Sequence, residues 1–255
     1  MIEEPLVDFQ GKKVLITGAS SGIGRAIAVA LNRCGAFTIL SGRDKTRLNQ
    51  TAEQLKTSSY YILPLDLNDS SGIFPRIRSL SQEIGRLYGF CHSAGIVETR
   101  PFSSSSPEWV EAQWRVNLLA GLEAARAVCR RDVLEEDGGS LLFISSIYAL
   151  AGIPGQIGYS ASKGAVTAAV RTMAIELARQ NIRVNALSPG LVETEMMEKS
   201  LSKLSPDQIK ALKGGYPLGT GRPDDVARAA VFLLAPQNRW ITGIDLIVDG
   251  GYTAR

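Results

Sequence analysis

Thr17-Gly18-Ala19-Ser20-Ser21-Gly22-Ile23-Gly24 is the stretch of this 255-residue sequence that decides its fold. An apolar run with the character of a buried strand, Lys13 to Thr17, leads into it, and a helical pattern from Arg25 to Cys34 follows. In such a unit, glycines permit a tight turn, close backbone approach to a pyrophosphate and close helix–strand packing. The helix N-terminus adds free N–H groups and the positive end of a dipole. The stretch therefore predicts a dinucleotide-binding turn, and it is not a Walker A loop because no Gly-Lys-Ser/Thr follows.

Short apolar runs alternate with longer helical patterns along the rest of the chain. Strands are predicted at residues 13–17, 37–41, 60–65, 89–93, 140–145, 182–187 and 246–249. Helices are predicted at residues 25–34, 45–56, 73–84, 107–132, 159–180 and 225–234. Continuous apolar strands separated by helices indicate a parallel sheet covered on both faces. We therefore expect an α/β protein, a single Rossmann-type domain over residues 1–255 whose doubly wound parallel sheet has helices on both faces.

The polar stretch at about residues 193–223 departs from this alternation. It carries apolar residues at roughly helical spacing, namely Met196, Met197, Leu201, Leu204, Ile209 and Leu212. Such spacing is typical of ordinary packing against a core. The position of the stretch just after a strand end also favours a mobile lid over a cleft, and we predict a substrate lid here.

The composition excludes several classes of protein. Hydrophobic residues make up 45% of the chain and charged residues 21%, which is typical of a globular protein rather than a disordered or collagen-like one. The net charge of +3 is too small to indicate a nucleic-acid partner. No apolar run approaches the roughly 18 residues of a membrane span, and the acidic start Met1-Ile2-Glu3-Glu4 is unlike a signal peptide. We expect neither a nucleic-acid nor a membrane partner.

The cysteines and the histidine restrict the chemistry further. Cys34, Cys91 and Cys129 are scattered, with no CxxC pair and no zinc spacing. This pattern predicts reduced thiols, a cytoplasmic protein and no metal site. His92 is the single histidine, so a mechanism that needs several histidine ligands is excluded.

Tyr159-Ser160-Ala161-Ser162-Lys163 opens a predicted helix and places a phenol and an ammonium four residues apart. Residues at this spacing share a helix face. A free tyrosine titrates near 10, and an adjacent cation favours the phenolate, so we expect Lys163 to lower the pKa of Tyr159. Ser146 follows the predicted fifth strand, at the carboxyl edge where parallel sheets bind ligands. Its hydroxyl is a candidate to hold a substrate oxygen.

Two other motifs overlap these residues. Gly18 to Gly22 also matches the G-x-S-x-G elbow of esterases, which would require a triad of Ser20, Asp66 and His92. That elbow would lie on the first strand, with its histidine inside a strand pattern. Ser160 to Lys163 matches the SxxK of penicillin-binding enzymes, but the accompanying S-D-N and K-T-G motifs do not occur.

Together these motifs resemble a short-chain dehydrogenase/reductase over nearly the whole chain. The resemblance is carried by the glycine turn, by the Ser146, Tyr159 and Lys163 set, and by further matches at Val116-Asn117-Leu118, Pro189-Gly190, Ile241-Thr242-Gly243 and Asp249-Gly250-Gly251. Within the family, 3-oxoacyl-carrier-protein reductases and related ketoreductases look most similar. The resemblance implies hydride transfer between a nicotinamide cofactor and a carbonyl or secondary-alcohol carbon.

The resemblance also implies a role for individual residues. The catalytic set would be Asn117, Ser146, Tyr159 and Lys163. Tyr159 would exchange the proton, Lys163 would bind the nicotinamide ribose, and Asn117 would lie in an interrupted turn that holds a water linking Lys163 to solvent. The cofactor contacts would be Gly18, Ser20, Ser21, Gly22, Ile23, Gly24, Arg43, Asp66, Leu67, Ala94, Gly95, Tyr159, Lys163, Pro189, Gly190, Val192 and Thr194.

The end of the second predicted strand bears on the choice of cofactor. NAD-binding proteins place a carboxylate near this point for the ribose hydroxyls, whereas an arginine accommodates the 2′-phosphate of NADP. Gly42 stands where the family's NAD-selecting aspartate would be, and Arg43 follows it. Asp44 is close enough to leave NAD open, and Arg43 could also be a solvated loop cation. We predict NADP(H) in preference to NAD(H).

One motif departs from the family pattern. The family's NNAG is His92-Ser93-Ala94-Gly95 in this sequence. The first asparagine normally ties strands together through its side chain, and a buried imidazole could replace one such bond. We predict that His92 is a packed strand residue and not a catalytic one.

The substrate and the partners are less directly indicated. Carrier-protein reductases of the family present basic residues beside the site mouth, where this sequence has Asp137 and Gln180. We therefore predict a small free carbonyl compound, or a coenzyme A thioester, in preference to an acyl-carrier-protein thioester. Lysines of the predicted lid argue the other way, namely Lys199, Lys203, Lys210 and Lys213. A carrier-protein reductase and a non-catalytic nucleotide-binding protein stay open as alternatives, and the resemblance implies a homotetramer with D2 symmetry.

Overall fold

The computed structural model describes residues 7–202 and 204–254, so the predicted lid lysine Lys203 lies outside the described residues. Within these ranges one parallel sheet forms, in the order β3-β2-β1-β4-β5-β6-β7. Its strands are β1 (Lys13–Thr17), β2 (Phe37–Gly42), β3 (Tyr60–Pro64), β4 (Gly89–His92), β5 (Gly139–Ile144), β6 (Ile182–Pro189) and β7 (Asp245–Val248). The chain turns from one half of the sheet to the other between β1 and β4, and the carboxyl ends of the strands leave a crevice there.

Helices cover both faces of the sheet, as the apolar runs predict. They are α1 (Gly22–Arg33), α2 (Lys45–Ala52), α3 (Ser70–Ile84), α4 (Pro107–Trp114), α5 (Ala120–Val128), α6 (Ile157–Leu177), α7 (Glu195–Leu201), α8 (Pro206–Lys213) and α9 (Pro223–Leu234). Successive side chains of a strand point to opposite faces. Leu15 of β1 accordingly packs in the core under α3, α5 and α6, whereas Val14 and Ile16 pack in the core under α1 and α9. The doubly wound α/β fold is thereby confirmed.

The helix predicted over residues 107–132 is wrong as a single helix. A π-helical turn, Arg115–Leu119, separates α4 from α5, and the N–H of Ala120 donates to the carbonyl of Arg115. Asn117 lies within this turn, fully buried. π-Turns of this kind occur frequently at functional sites. The helix predicted over residues 45–56 is also shorter than expected, because α2 ends at Ala52.

The predicted lid contains the two short helices α7 and α8. The side chain of Thr194 caps α7, and Ser205 with Gln208 forms a capping box on α8. Leu201 is buried, but Met196 and Leu204 are exposed, so this segment is not simply core packing.

No helix in the described ranges is long and apolar enough to cross a membrane.

Candidate active site

A cavity of about 700 Å³ opens at the carboxyl ends of the central strands. Every cofactor contact predicted from the sequence lines it, together with Ser146. The buried Asn117 does not line the cavity and lies behind it. Residues of the predicted lid form the opposite wall, including Met196, Met197 and Leu201. The structure therefore brings the glycine turn, the tyrosine–lysine pair and the lid segment to one place.

The glycine turn needs its glycines for steric reasons. Gly18 has a φ of +70°, and a Cβ built on it would lie 2.7 Å from the backbone nitrogen of Ala94. A Cβ on Gly24 would lie 2.3 Å from the carbonyl oxygen of Gly18. These contacts are far inside van der Waals distance. Gly18 therefore lets the turn pack against the loop after β4, and Gly24 lets the start of α1 pack against the turn itself.

Helix α1 begins at Gly22, earlier than the predicted start at Arg25. Ser21 is its N-cap residue but makes no side-chain capping hydrogen bond. The first N–H groups of a helix have no partner within it. In α1 they face the cavity without a capping side chain, and this arrangement fits the phosphates of a dinucleotide.

The chain segments after β2 and β3 line the end of the cavity where the sequence predicts the adenosine of the cofactor, which we call the adenosine end. Arg43 is exposed there, and the Asp66 carboxylate accepts a hydrogen bond from the backbone N–H of Asn68 at 3.0 Å. Asp44 is the carboxylate because of which the sequence did not exclude NAD as the cofactor. Its side chain caps α2 by accepting a hydrogen bond from the N–H of Arg47 at 3.1 Å. Arg47 also lines the cavity, and sequence reasoning missed it. Its place in the first turn of the helix that follows the second strand was the available signal.

Ser146, Tyr159 and Lys163 converge at the other end of the cavity. Ser146 follows β5, and its hydroxyl accepts from the N–H of Tyr148 at 3.2 Å. The ammonium of Lys163 donates to the carbonyl of Ile144 at 2.7 Å and lies 5.7 Å from the centroid of the Tyr159 ring. Phenol and ammonium thus share one face of α6, as their spacing predicts.

The predicted lowering of the Tyr159 pKa is wrong for the protein alone. Burial raises the pKa of Tyr159 to about 12, and a hydrogen bond with the Ser146 hydroxyl only partly opposes this. Burial also lowers the pKa of Lys163 to about 8. A buried phenolate loses its hydration, and Lys163 hydrogen-bonds to a backbone carbonyl instead of the phenol oxygen, so desolvation outweighs the attraction of the ammonium.

The side-chain amide of Asn117 pairs with the backbone of Ile96 as a neighbouring strand would, through one accepted and one donated hydrogen bond. Its Oδ1 accepts from the N–H of Ile96 at 2.8 Å, and its Nδ2 donates to the carbonyl of Ile96 at 3.0 Å and to the hydroxyl of Ser162 at 3.0 Å. A Cβ on Gly95 would lie 3.3 Å from Asn117 Oδ1 and 3.6 Å from Lys163 Nζ. The π-turn, the loop after β4 and helix α6 therefore meet at Asn117. Its predicted water link stays a prediction.

His92 is a buried strand residue, as its pattern predicts. Its Nδ1 lies 2.9 Å from Thr17 Oγ1, and its Nε2 lies 3.1 Å from the carbonyl oxygen of Val116. Burial, followed by the charge of Lys163, lowers the pKa of His92 to about 3. Because both ring nitrogens are hydrogen-bonded away from Ser20, the esterase triad has no support in this geometry.

The cavity wall near Ser146 combines apolar and polar side chains, and the polar ones include Gln156, whose buried Oε1 has no hydrogen-bond partner among the described residues. The apolar ones include Ile96, Val97 and Ile153, together with Met197 from α7. Tyr148 adds a phenol two residues after Ser146. Met197 was expected here as an apolar residue of the predicted lid. The others belong to no motif, so sequence reasoning did not find them as site residues.

The predicted place of Asp137 and Gln180 at the site mouth is wrong for this chain's own cavity. Asp137 precedes β5 and Gln180 precedes β6, so both lie at the amino ends of the strands. The cavity opens at the carboxyl ends. The absence of basic residues at these positions consequently says nothing about docking at the cavity in the same chain.

Known proteins resemble this chain over almost its full length. A sequence-family profile described as Enoyl-(Acyl carrier protein) reductase matches residues 18–253. Cyclopentanol dehydrogenase of Comamonas testosteroni is 32% identical over 95% of this chain and 97% of its own. A 3-oxoacyl-[acyl-carrier-protein] reductase of Thermotoga maritima is 33% identical over 95% of this chain and 98% of its own. The crystal structure of a short-chain type dehydrogenase/reductase from Mycobacterium marinum superimposes with a TM-score of 0.90 at 30% identity, covering 98% of both chains.

Proposed function

The chain belongs to the short-chain dehydrogenase/reductase family of oxidoreductases acting on alcohols and ketones, and we propose that it transfers a hydride between NADP(H) and a small carbonyl or secondary-alcohol substrate. One observation carries this proposal. The uncapped N-terminus of α1 and the Ser146, Tyr159 and Lys163 set line the same cavity. A phosphate-binding end and a proton-transfer end are thus joined within one cleft.

Each side chain has a distinct task in this proposal. When bound, the nicotinamide cofactor supplies or accepts the hydride. Tyr159 holds a proton on its phenol oxygen at neutral pH and donates it to the substrate oxygen during reduction. Ser146, hydrogen-bonded to Tyr159, orients that oxygen where negative charge develops. Lys163 places its ammonium 5.7 Å from the centroid of the Tyr159 ring. Asn117 fixes the backbone of Ile96 beside the cavity through two hydrogen bonds.

Replacing Tyr159 tests the catalytic assignment. Tyr159→Phe keeps the ring but removes the hydroxyl, and general acid catalysis contributes about 10²–10⁴-fold. We expect kcat to fall at least about 10²-fold while NADPH binding changes little. The assay follows NADPH oxidation with a panel of ketones, and NADPH binding is measured by a thermal shift. If the Phe variant retained half of the wild-type kcat, Tyr159 would not be the proton donor. NADPH binding without turnover of any carbonyl would favour the non-catalytic alternative.

The preference for NADP(H) is supported by the guanidinium group of Arg43 at the adenosine end, since an arginine accommodates the 2′-phosphate. Arg47 lines the cavity there as well, and its guanidinium pairs with the carboxylate of Glu195. Asp44 is engaged as a helix cap. We expect kcat/KM to favour NADPH over NADH in the wild type, and this preference to be lost in Arg43→Ala. Arg33→Ala, an exposed cation at the other end of α1, is the matched control. A wild-type preference for NADH would refute the proposal.

The apolar side chains of the cavity wall support an uncharged ketone or alcohol as substrate. Tyr148 and the Oε1 of Gln156, which is unpartnered within the described residues, offer partners for a polar group on it. The alternative, a 3-oxoacyl-carrier-protein reductase, is favoured by the exposed lysines of α7 and α8, Lys199, Lys210 and Lys213, and by similarity to the Thermotoga maritima protein. A competition assay compares simple ketones with acetoacetyl-coenzyme A and acetoacetyl-carrier protein. If the carrier-protein substrate wins by about tenfold in kcat/KM, a difference of about 1.4 kcal/mol, the alternative replaces our proposal.

We also propose a homotetramer. Its support is the exposure of large apolar side chains around the helices that the resemblance assigns to the interface: Ile175 of α6 is 80% exposed and Leu119 of the π-turn is 53% exposed. Assembly through these helices would remove both side chains from water, which is favourable for apolar groups. Sedimentation equilibrium at micromolar concentration tests this, and a monomer would contradict it.

A further inference from the structure

His92 joins two segments that both border the site, although it does not line the cavity. Thr17 ends β1 at the start of the glycine turn, and Val116 precedes Asn117 in the π-turn. We propose, resting on the function proposed above, that His92 is a positioning residue that locks the Asn117 turn to the glycine turn, and that Gly121 is its steric partner.

The hydrogen bonds define which nitrogen carries the proton. A carbonyl oxygen only accepts, so Nε2 carries the hydrogen and donates to Val116. The neutral ring then has an unprotonated Nδ1, which accepts from the hydroxyl of Thr17. Thr17 Oγ1 in turn lies 3.5 Å from the N–H of Ala94, in the loop that contacts Asn117. The imidazole is therefore the middle member of a series of hydrogen bonds. The series begins at the N–H of Ala94 in the loop after β4 and ends at the carbonyl of Val116 in the π-turn.

Gly121 of α5 provides the space for the imidazole. A Cβ on Gly121 would lie 2.6 Å from Cδ2 and 2.9 Å from both Cγ and Nε2 of His92. All three atoms belong to a planar ring that is held at both nitrogens, so the ring has no room to turn away. This predicts that Gly121 is required by the histidine and not by the backbone of α5.

The hydrogen bond from His92 acts on the site because Val116 and Asn117 are adjacent in the π-turn. The carbonyl of Val116 is one residue from Asn117, whose amide pairs with Ile96 on the opposite side of the turn. The π-turn is thus fixed from two sides, by the imidazole and by the Asn117 amide. Lys163 lies close enough for its charge to act on the imidazole. Loss of the ring's donor would let the Asn117 turn shift relative to Lys163.

A double-mutant cycle tests the packing. Small-to-large changes in a packed core are destabilising, so we expect Gly121→Ala to lower Tm by about 3–10 °C. In the His92→Ala background the same change should no longer lower Tm, because the methyl group fills the vacated space and alanine is a better helix former than glycine. His92→Ser provides the background if His92→Ala does not fold. An equal loss of Tm in both backgrounds would overturn the assigned pairing.

Kinetics test the positioning role. His92→Leu keeps an apolar volume without hydrogen bonds, and His92→Gln restores an N–H donor toward Val116. We expect kcat to fall at least about tenfold in the Leu variant, because small displacements of catalytic groups are costly, and to recover most of that loss in the Gln variant. Cys91→Ala, a buried neighbour packed on the other face of the sheet, is the control that lowers Tm without changing kcat.

The two kinds of failure are separable. Unchanged kcat in His92→Leu, or no recovery in His92→Gln, overturns the positioning role while wild-type turnover upholds the proposed function. If the wild type reduces no carbonyl, the proposed function fails and the kinetic role of His92 fails with it. The Tm cycle still decides the pairing with Gly121, because that readout needs no turnover.

Discussion

We expect His92 to make the free energy of unfolding depend on pH between about pH 5 and 7, where no other type of side chain titrates at its ordinary pKa. It is the single histidine of the sequence, and burial together with Lys163 lowers its pKa to about 3 in the folded state. In the unfolded chain the imidazole titrates near 6.5. The unfolded chain therefore takes up a proton as the pH falls below about 6.5, whereas the folded protein does not.

The sign and size of the effect follow from this difference. Because the folded-state pKa is depressed, the contribution is fully present above about pH 6.5 and is lost progressively as the pH falls toward about 3. Each pH unit in this range removes about 1.4 kcal/mol, so the free energy of unfolding should drop by about 2 kcal/mol between pH 7.5 and pH 5.0. Burial raises the pKa of Asp245, which acts in the opposite direction, so a variant must isolate the histidine.

Urea unfolding of the wild type and of His92→Gln at several pH values supplies that comparison. The Gln side chain does not titrate, so the difference in unfolding free energy between the two proteins should shrink by about 2 kcal/mol from pH 7.5 to pH 5.0. Cys91→Ala should parallel the wild type at every pH. Parallel curves for His92→Gln and the wild type would refute the reasoning, since they would mean that the imidazole takes up its proton equally in both states.

Further predictions concern the glycine turn, a buried cation and the lid. Gly24→Ala should raise the Kd for NADPH about tenfold or more, measured by fluorescence titration, because the new Cβ would meet the Gly18 carbonyl at 2.3 Å. Arg183→Met should lower the free energy of unfolding by at least about 2 kcal/mol, measured in urea, because it removes donors to four backbone carbonyls at 2.8–3.2 Å. Glu195→Gln breaks an exposed ion pair with Arg47 and should change that free energy by less than about 1 kcal/mol.

Much of the fold follows from patterns that are local in the sequence. β1 occupies the predicted residues, Lys13–Thr17, because a buried parallel strand is a continuous apolar run. The start of α1 at Gly22 was missed, since glycine is a poor helix former and conceals a helix that begins within the turn. The pattern of residues does not show the π-turn at Arg115–Leu119, because apolar residues continue through it at helical spacing. Only the family resemblance implies an interruption there, at Asn117.

The site was predictable as a set of residues but not as an electrostatic environment. Spacing alone places Tyr159 and Lys163 on one helix face. It does not show that the ammonium of Lys163 donates to the carbonyl of Ile144, nor that burial raises the pKa of Tyr159. The error over Asp137 and Gln180 was avoidable, because both precede predicted strands and ligands bind where parallel strands end.

The protonation of Tyr159 sets an asymmetry between the two directions of the proposed reaction. With a pKa of about 12, the phenol keeps its proton at neutral pH, and a protonated phenol is what the reduction of a carbonyl requires. Oxidation of an alcohol instead requires a base, and forming the phenolate at pH 7 in the protein alone would cost about 7 kcal/mol. Lys163, with a pKa of about 8, still carries its charge at pH 7. Closer approach of that ammonium to the phenol oxygen is therefore the change that would most reduce the cost. Under the proposed function, Tyr159 holds the proton that reduction needs, whereas oxidation requires the cost of forming the phenolate to be met.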